Sequence, residues 1–187
     1  MEYKESIIGR KAEQKMLQTC YDSPRAEFVA VYGRRHIGKT YLVKQFFDDN
    51  FDFYVSGIYQ LSQKEQLERF ASQLEHYSGK KVGTLKKWFD AFDALRDYLM
   101  TLNKERIVIF IDELPWFDTP KSNFTKALDA FWNMWASDRK NLKLIVCGSS
   151  TTWMTNRLFF DRGGLYGRVT KRIHLRDEKE ENALSVH

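Results

Sequence analysis

The segment Gly33-Arg34-Arg35-His36-Ile37-Gly38-Lys39-Thr40 fits the pattern G-x-x-x-x-G-K-[ST] in full, and it constrains the fold more than any other stretch of the chain. Before it, Glu27–Tyr32 is a short run rich in β-branched and aromatic residues, the pattern of a buried strand. After it, Lys39–Phe47 places Leu42, Val43, Phe46 and Phe47 at helical spacing. A strand that passes through a glycine turn into a helix is the setting in which this pattern has physical meaning. The glycines let successive backbone N–H groups turn inward around an anion, and the helix N-terminus adds partial positive charge. Lys39 is placed to reach phosphate oxygens, and the Thr40 hydroxyl to ligate a hard cation such as Mg²⁺. Gly33, Arg34, Arg35, His36, Ile37, Gly38, Lys39 and Thr40, with Tyr41 next in line, are the candidate phosphate-binding set. His36 fills an unconstrained position of the pattern and is expected to face solvent.

Ile107–Ile111 is continuously apolar and β-branched, the look of a strand covered on both faces, and it ends in Asp112 and Glu113. In a parallel sheet that end lies on the same edge as the glycine loop, where ligands bind. Asp112 is the candidate metal carboxylate, with Thr40. Glu113 is the candidate general base that orients or deprotonates an attacking water.

The rest of the chain alternates in the same way. Ala12, Met16, Leu17 and Cys20 mark a leading helix that stops at Asp22-Ser23-Pro24, and Phe51–Ser56 reads as a second strand. Two amphipathic helices follow, one with Leu67, Phe70, Ala71, Leu74 and Tyr77, the other with Leu85, Trp88, Phe89, Phe92, Leu95, Leu99 and Leu102. Trp88, Phe89 and Phe92 are read as core, and Lys80, Lys81, Lys86 and Lys87 as a solvated face. Ala127, Leu128, Phe131, Trp132 and Trp135 predict another helix, Leu142–Gly148 another buried strand, and Val169–Leu175 the last strand. Such alternation means α/β with a mostly parallel sheet.

At 187 residues and 43% hydrophobic composition the chain supports one core of domain size and is not disordered. No apolar run approaches the ~18–20 residues of a membrane helix, and the N-terminus lacks the apolar core of a signal peptide. Cys20 and Cys147 are too few for a disulfide framework or a zinc site, so a reduced, cytoplasmic setting is expected. Thirty Lys and Arg against 25 Asp and Glu give a net charge of +5, which permits a phosphate-bearing partner without implying nucleic acid.

Together these motifs resemble the AAA+ and STAND branch of P-loop ATPases, in particular prokaryotic predicted AAA-family ATPases. Ile7-Ile8-Gly9-Arg10-Lys11-Ala12-Glu13 with Leu17 resembles the N-terminal box that lies beside the adenine in relatives, which adds Ile8, Gly9 and Arg10 to the nucleotide set. Leu144–Ser150 resembles the strand ending in a polar sensor, here Ser149, that helps place the γ-phosphate and water. Leu165-Tyr166-Gly167-Arg168 resembles the segment where relatives carry an arginine finger for a neighbouring subunit.

The resemblance implies a three-layer αβα sandwich with strand order 5-1-4-3-2 over residues 1–175. It also implies ATP and Mg²⁺ as ligands, ATP hydrolysis as a nucleotide-controlled switch, and a homo-oligomer, protein or DNA as partner. Relatives continue into a helical lid. Residues 176–187 are charged and poor in apolar side chains, so they are expected to form a frayed tail. The resemblance also carries adenine over guanine, and no N-K-x-D guanine-reading motif occurs. Two other readings stay open: a P-loop kinase using Asp161-Arg162-Gly163-Gly164 as a phosphate clamp, and a non-catalytic nucleotide-binding or DNA-associated scaffold. Ser149 and Ser150 are also plausible helix N-caps, and Arg157, Arg162 and Arg168 plausible surface charges.

Overall fold

Five apolar strands form one parallel sheet: β1 Glu27–Tyr32, β2 Phe53–Ser56, β3 Ile107–Asp112, β4 Leu142–Gly148 and β5 Lys171–His174. The structure is a computed structural model that describes residues 4, 7, 9–160 and 165–177. The strand order is β2-β3-β4-β1-β5, which is the expected order read from the other edge, and every pairing is parallel. Each connection therefore has to cross over a face of the sheet, and the helices do so. Helices α1 (Lys11–Asp22) and α2 (Lys39–Phe46) cover one face. Helices α3 (Gln63–Ser78), α4 (Trp88–Met100) and α5 (Phe124–Met134) cover the other. A short α6, Thr151–Met154, follows β4 and continues as a single π turn, Thr155–Phe159.

Alternation within each strand sorts the side chains between two cores. Phe28 and Ala30 of β1 join Phe53, Trp88, Phe92 and Leu128 under α3–α5, while Val29 and Val31 join Leu17, Leu42 and Val43 under α1 and α2. Central strands buried on both faces explain why β3 and β4 read as unbroken apolar runs. Helix α3 is closed by a capping box between Ser62 and Glu65 and by Gly79 in the left-handed conformation.

Several boundaries differ from expectation. β2 begins at Phe53 because Asp52 turns its carboxylate onto the Val108 N–H at 2.8 Å and pairs with Lys104 at 2.6 Å. Helix α4 starts at Trp88, so Leu85 lies in the preceding connection, where it packs against the core from a non-helical segment. Trp135 ends α5 rather than continuing it, and β5 is trimmed to four residues. Phe89 corrects the reading of the aromatic stripe: Trp88 and Phe92 are core, but Phe89 is 40% exposed, one step around the helix from the buried seam. No helix among the described residues is long and apolar enough to cross a membrane. The expectations on Ile8, on Arg162 and the rest of 161–164, and on tail residues 178–187 fall outside the described residues.

Candidate functional site

The C-terminal ends of β1, β3 and β4 meet at one edge of the sheet. Gly33 leaves β1 so close to the chain beyond β5 that a Cβ there would run into the Leu175 carbonyl, and Gly38 caps α2 with φ 97°. Arg34, Arg35 and His36 are exposed, His36 in the left-handed region at φ 64°, and Ile37 is half-buried. Tyr41 points outward at 54% exposure.

Lys39 is 5% exposed, and its Nζ donates to the carbonyls of Gly33 at 2.9 Å and Arg34 at 2.8 Å. The loop thus wraps its own lysine. Burial holds the ammonium below its ordinary pKa, opposed by the nearby Cys147, Glu113 and Asp112.

One residue on, Thr40 Oγ1 donates to Asp112 Oδ2 at 2.7 Å, bringing together two residues 72 positions apart. Asp112 Oδ1 accepts the Glu113 N–H at 2.9 Å. Burial pushes the Asp112 carboxyl above its ordinary range despite those two hydrogen bonds. Cys147, wholly buried on β4 beside this cluster, has its thiol pushed well up by burial and is inert as a nucleophile.

Glu113 leaves the strand in the left-handed region, φ 49° and ψ 46°, a conformation that costs a non-glycine residue on the order of 1–3 kcal/mol. That turn aims its carboxylate at β4, where Ser149 Oγ donates to Oε1 at 3.3 Å. Ser150, not Ser149, is the helix N-cap, accepting the Trp153 N–H at 3.3 Å. Of the roles weighed for this serine pair, the N-cap falls to Ser150, while Ser149 contacts Glu113.

Other candidates lie around this cluster. Gly9 and Arg10 both adopt left-handed conformations ahead of α1, and Arg10 Nη1 donates to the Arg176 carbonyl at 2.8 Å. Arg34 makes an ion pair with Asp177, so the segment leaving β5 touches both the glycine loop and the N-terminal box. Arg168 is drawn toward α5, its Nε 3.5 Å from Asp129 Oδ1, and Arg157 toward Asp118 at 3.8 Å.

Sequence reasoning passed over Gln66 and Gly57. Gln66 is fully buried on α3, and its side chain bonds Ile58 on both backbone groups and the Trp116 carbonyl. Its one sequence signal is a polar residue in register with Phe70 and Leu74 on an apolar stripe. Gly57 lies where a Cβ would stand 2.5 Å from the Glu113 carbonyl.

The architecture is that of an AAA+-like P-loop ATPase core, and solved structures of that kind superpose on it. The Walker-type ATPase of Pyrococcus abyssi does so with TM-score 0.63 and 20% identity, covering 94% of this chain and 56% of that one. The ORC2 protein of Aeropyrum pernix, solved in ADPNP–ADP complexes, does so with TM-score 0.67 and 15% identity, over 91% and 48% of the two chains. Residues 8–186 match the ATPase domain found predominantly in Archaea, and the chain belongs to that family. An uncharacterized protein of Methanocaldococcus jannaschii is 28% identical over 164 residues, 88% of this chain but 34% of its own length. The chain thus spans about a third of that relative and just over half of the P. abyssi ATPase. An uncharacterized ATP-binding protein of the same organism is 36% identical over 43 residues, 23% of this chain and 73% of its own.

Proposed function

We propose that the chain binds ATP with Mg²⁺ at the Gly33–Thr40 loop and hydrolyses it, the nucleotide state acting as a switch. The observation that carries this reading is the Thr40–Asp112 contact at 2.7 Å with Glu113 turned beside it. In this reading the loop N–H groups and Lys39 hold the β- and γ-phosphates, and Gly9 and Arg10 flank the adenine side. A hydroxyl and a carboxylate in contact are the hard oxygen donors that Mg²⁺ accepts. Among the described residues no group of three or more His, Cys, Asp or Glu could hold a metal unaided, which suits an ion shared with substrate phosphates. Thr40 and Asp112 would hold the Mg²⁺, which would supply positive charge to offset the negative charge developing on the phosphate. Glu113 takes the proton of the attacking water, and Ser149 keeps its carboxylate pointed inward. Release of phosphate from ATP with purified chain, with and without candidate acceptors, tests the reading. Phosphate appearing only on an acceptor makes it a kinase, and binding without release makes it a scaffold.

Asp112 supplies a prediction with a sign. Its folded-state pKa lies above the ordinary carboxylate value, so its contribution to stability is fully present below that value and is lost as pH rises through the raised one. Ionising this buried carboxyl therefore costs stability. Asp112→Asn is expected to raise the melting temperature by a few degrees while weakening Mg²⁺-dependent ATP binding, the exchange common at functional sites. A melting temperature that falls would contradict the burial argument.

The role suggested for Arg168, a finger offered to a second copy, requires that it leave Asp129. Activity per chain should then rise with protein concentration, and excess Arg168→Ala chains should poison the parent, because such fingers contribute roughly 10³ or more in rate. Flat specific activity across concentration assigns Arg168 to contacts within its own chain, the Asp129 pair among them.

A further inference from the structure

We propose that Gln66 is a positioning residue for Glu113, an inference that rests on the hydrolytic reading above. Three observations converge on it. Glu113 sits in a left-handed conformation that a non-glycine residue keeps only when its surroundings impose it. The surroundings that do so are two turns pressed together. The turn after β3 continues as the 3₁₀ segment Leu114–Phe117, in which the Trp116 N–H donates to the Glu113 carbonyl at 3.1 Å. The turn after β2 donates the Gly57 N–H to the Asp112 carbonyl at 2.9 Å and has no room for a side chain against the Glu113 carbonyl.

Gln66 ties these turns to each other by hydrogen bonds from its buried side chain, beside the ring contact of the exposed Tyr59 with Trp116. Its Nε2 donates to the Ile58 carbonyl at 2.7 Å and to the Trp116 carbonyl at 3.3 Å, and its Oε1 accepts the Ile58 N–H at 3.3 Å. Both amide protons and the amide oxygen are used, so the clamp needs an amide. A carboxylate at this position would face two carbonyls with no donor, and an alkyl chain would bond neither turn. The clamp is wholly buried and anchored in α3, whose N-terminus is fixed by its own capping box, so it is rigid where the catalytic turn is strained.

The test uses Gln66→Met, which keeps size and apolar packing while removing the amide. Amide hydrogen exchange at Gly57 and Trp116 is expected to rise by on the order of tenfold, with Leu144–Val146 of β4 staying protected. The kcat for ATP hydrolysis is expected to fall between about 10- and 100-fold with KM near parental, the cost of a displaced catalytic group. In a Glu113→Gln background the same change should have no further effect beyond about twofold. Gly57→Ala, which presses on the Glu113 carbonyl from the other side, should reproduce the kcat loss and covers the case in which Gln66→Met folds poorly.

Unchanged exchange at the two turns overturns the proposal, as does an equal kcat loss with and without the Glu113 carboxylate, which would make Gln66 merely structural. Parental turnover by Glu113→Gln alone, or a parent chain that hydrolyses no ATP, overturns the hydrolytic reading itself and the proposal with it. Those results are separate from the exchange result.

Discussion

Lys39→Ala is expected to abolish tight binding of ATP·Mg²⁺ in a chain that still folds. The ammonium is buried inside the loop and held by two backbone carbonyls, Gly33 and Arg34, rather than by a carboxylate. Among the described residues no carboxylate stands at bonding distance from it, and burial holds it below its ordinary pKa. Phosphate oxygens in the loop would exchange neutral acceptors for anionic ones. Two charge-assisted hydrogen bonds at about 1.5–3 kcal/mol each correspond to roughly 10²–10⁴ in Kd at 1.4 kcal/mol per decade. Neither Arg34 nor Arg35 is placed to stand in: Arg34 is exposed and paired with Asp177, and Arg35 is exposed. Titration calorimetry that returned parental affinity would move the nucleotide site away from this loop.

Glu113→Gln has the opposite signature: nucleotide still binds, but hydrolysis falls by something like the 10²–10⁴ contributed by a general base. The carboxamide keeps the length of the side chain and can still accept the Ser149 hydroxyl at the position of Oε1, so geometry survives while basicity does not. Single-turnover measurements at saturating ATP isolate the chemical step from binding. Equal rates in mutant and parent would take Glu113 out of the mechanism. With Lys39→Ala the two variants separate holding the nucleotide from cleaving it.

Both residues were legible in the sequence because local order places them. Glycine loop between strand and helix, and two carboxylates at the end of an apolar strand, are short-range patterns, and a parallel sheet has only one edge at which strand C-termini gather. The cores were legible for the same reason, since period-2 and period-3.6 stripes report burial directly. What was not legible depends on partners far along the chain. A lone glutamine beside Leu67 reads alike whether it is solvated or, as Gln66 is, bonded to Trp116 fifty positions away. Phe89 sits one position outside the seam, and spacing cannot say how wide a helix's buried stripe is. Arg168 could be matched to a finger by its neighbours Tyr166 and Gly167, but its contact with Asp129 required the fold.

The strand order has a consequence for how the protein comes into being. β1 pairs with β4 and β5, Glu27 opposite Lys143 and Val29 opposite Lys171, and never with β2 or β3. Among the described residues no β-hairpin exists to form early, and the loop-closure entropy of joining partners more than a hundred residues apart must be met before any of those contacts forms. β4 is the slat between β1 and β3, so Thr40 and Asp112 have no common frame until residues 142–148 have been synthesised and inserted. On the ribosome, a chain that already displays the complete glycine loop and both acidic residues remains two unconnected fragments of a site. Competence arrives late and all at once, with a single central strand as the closing piece.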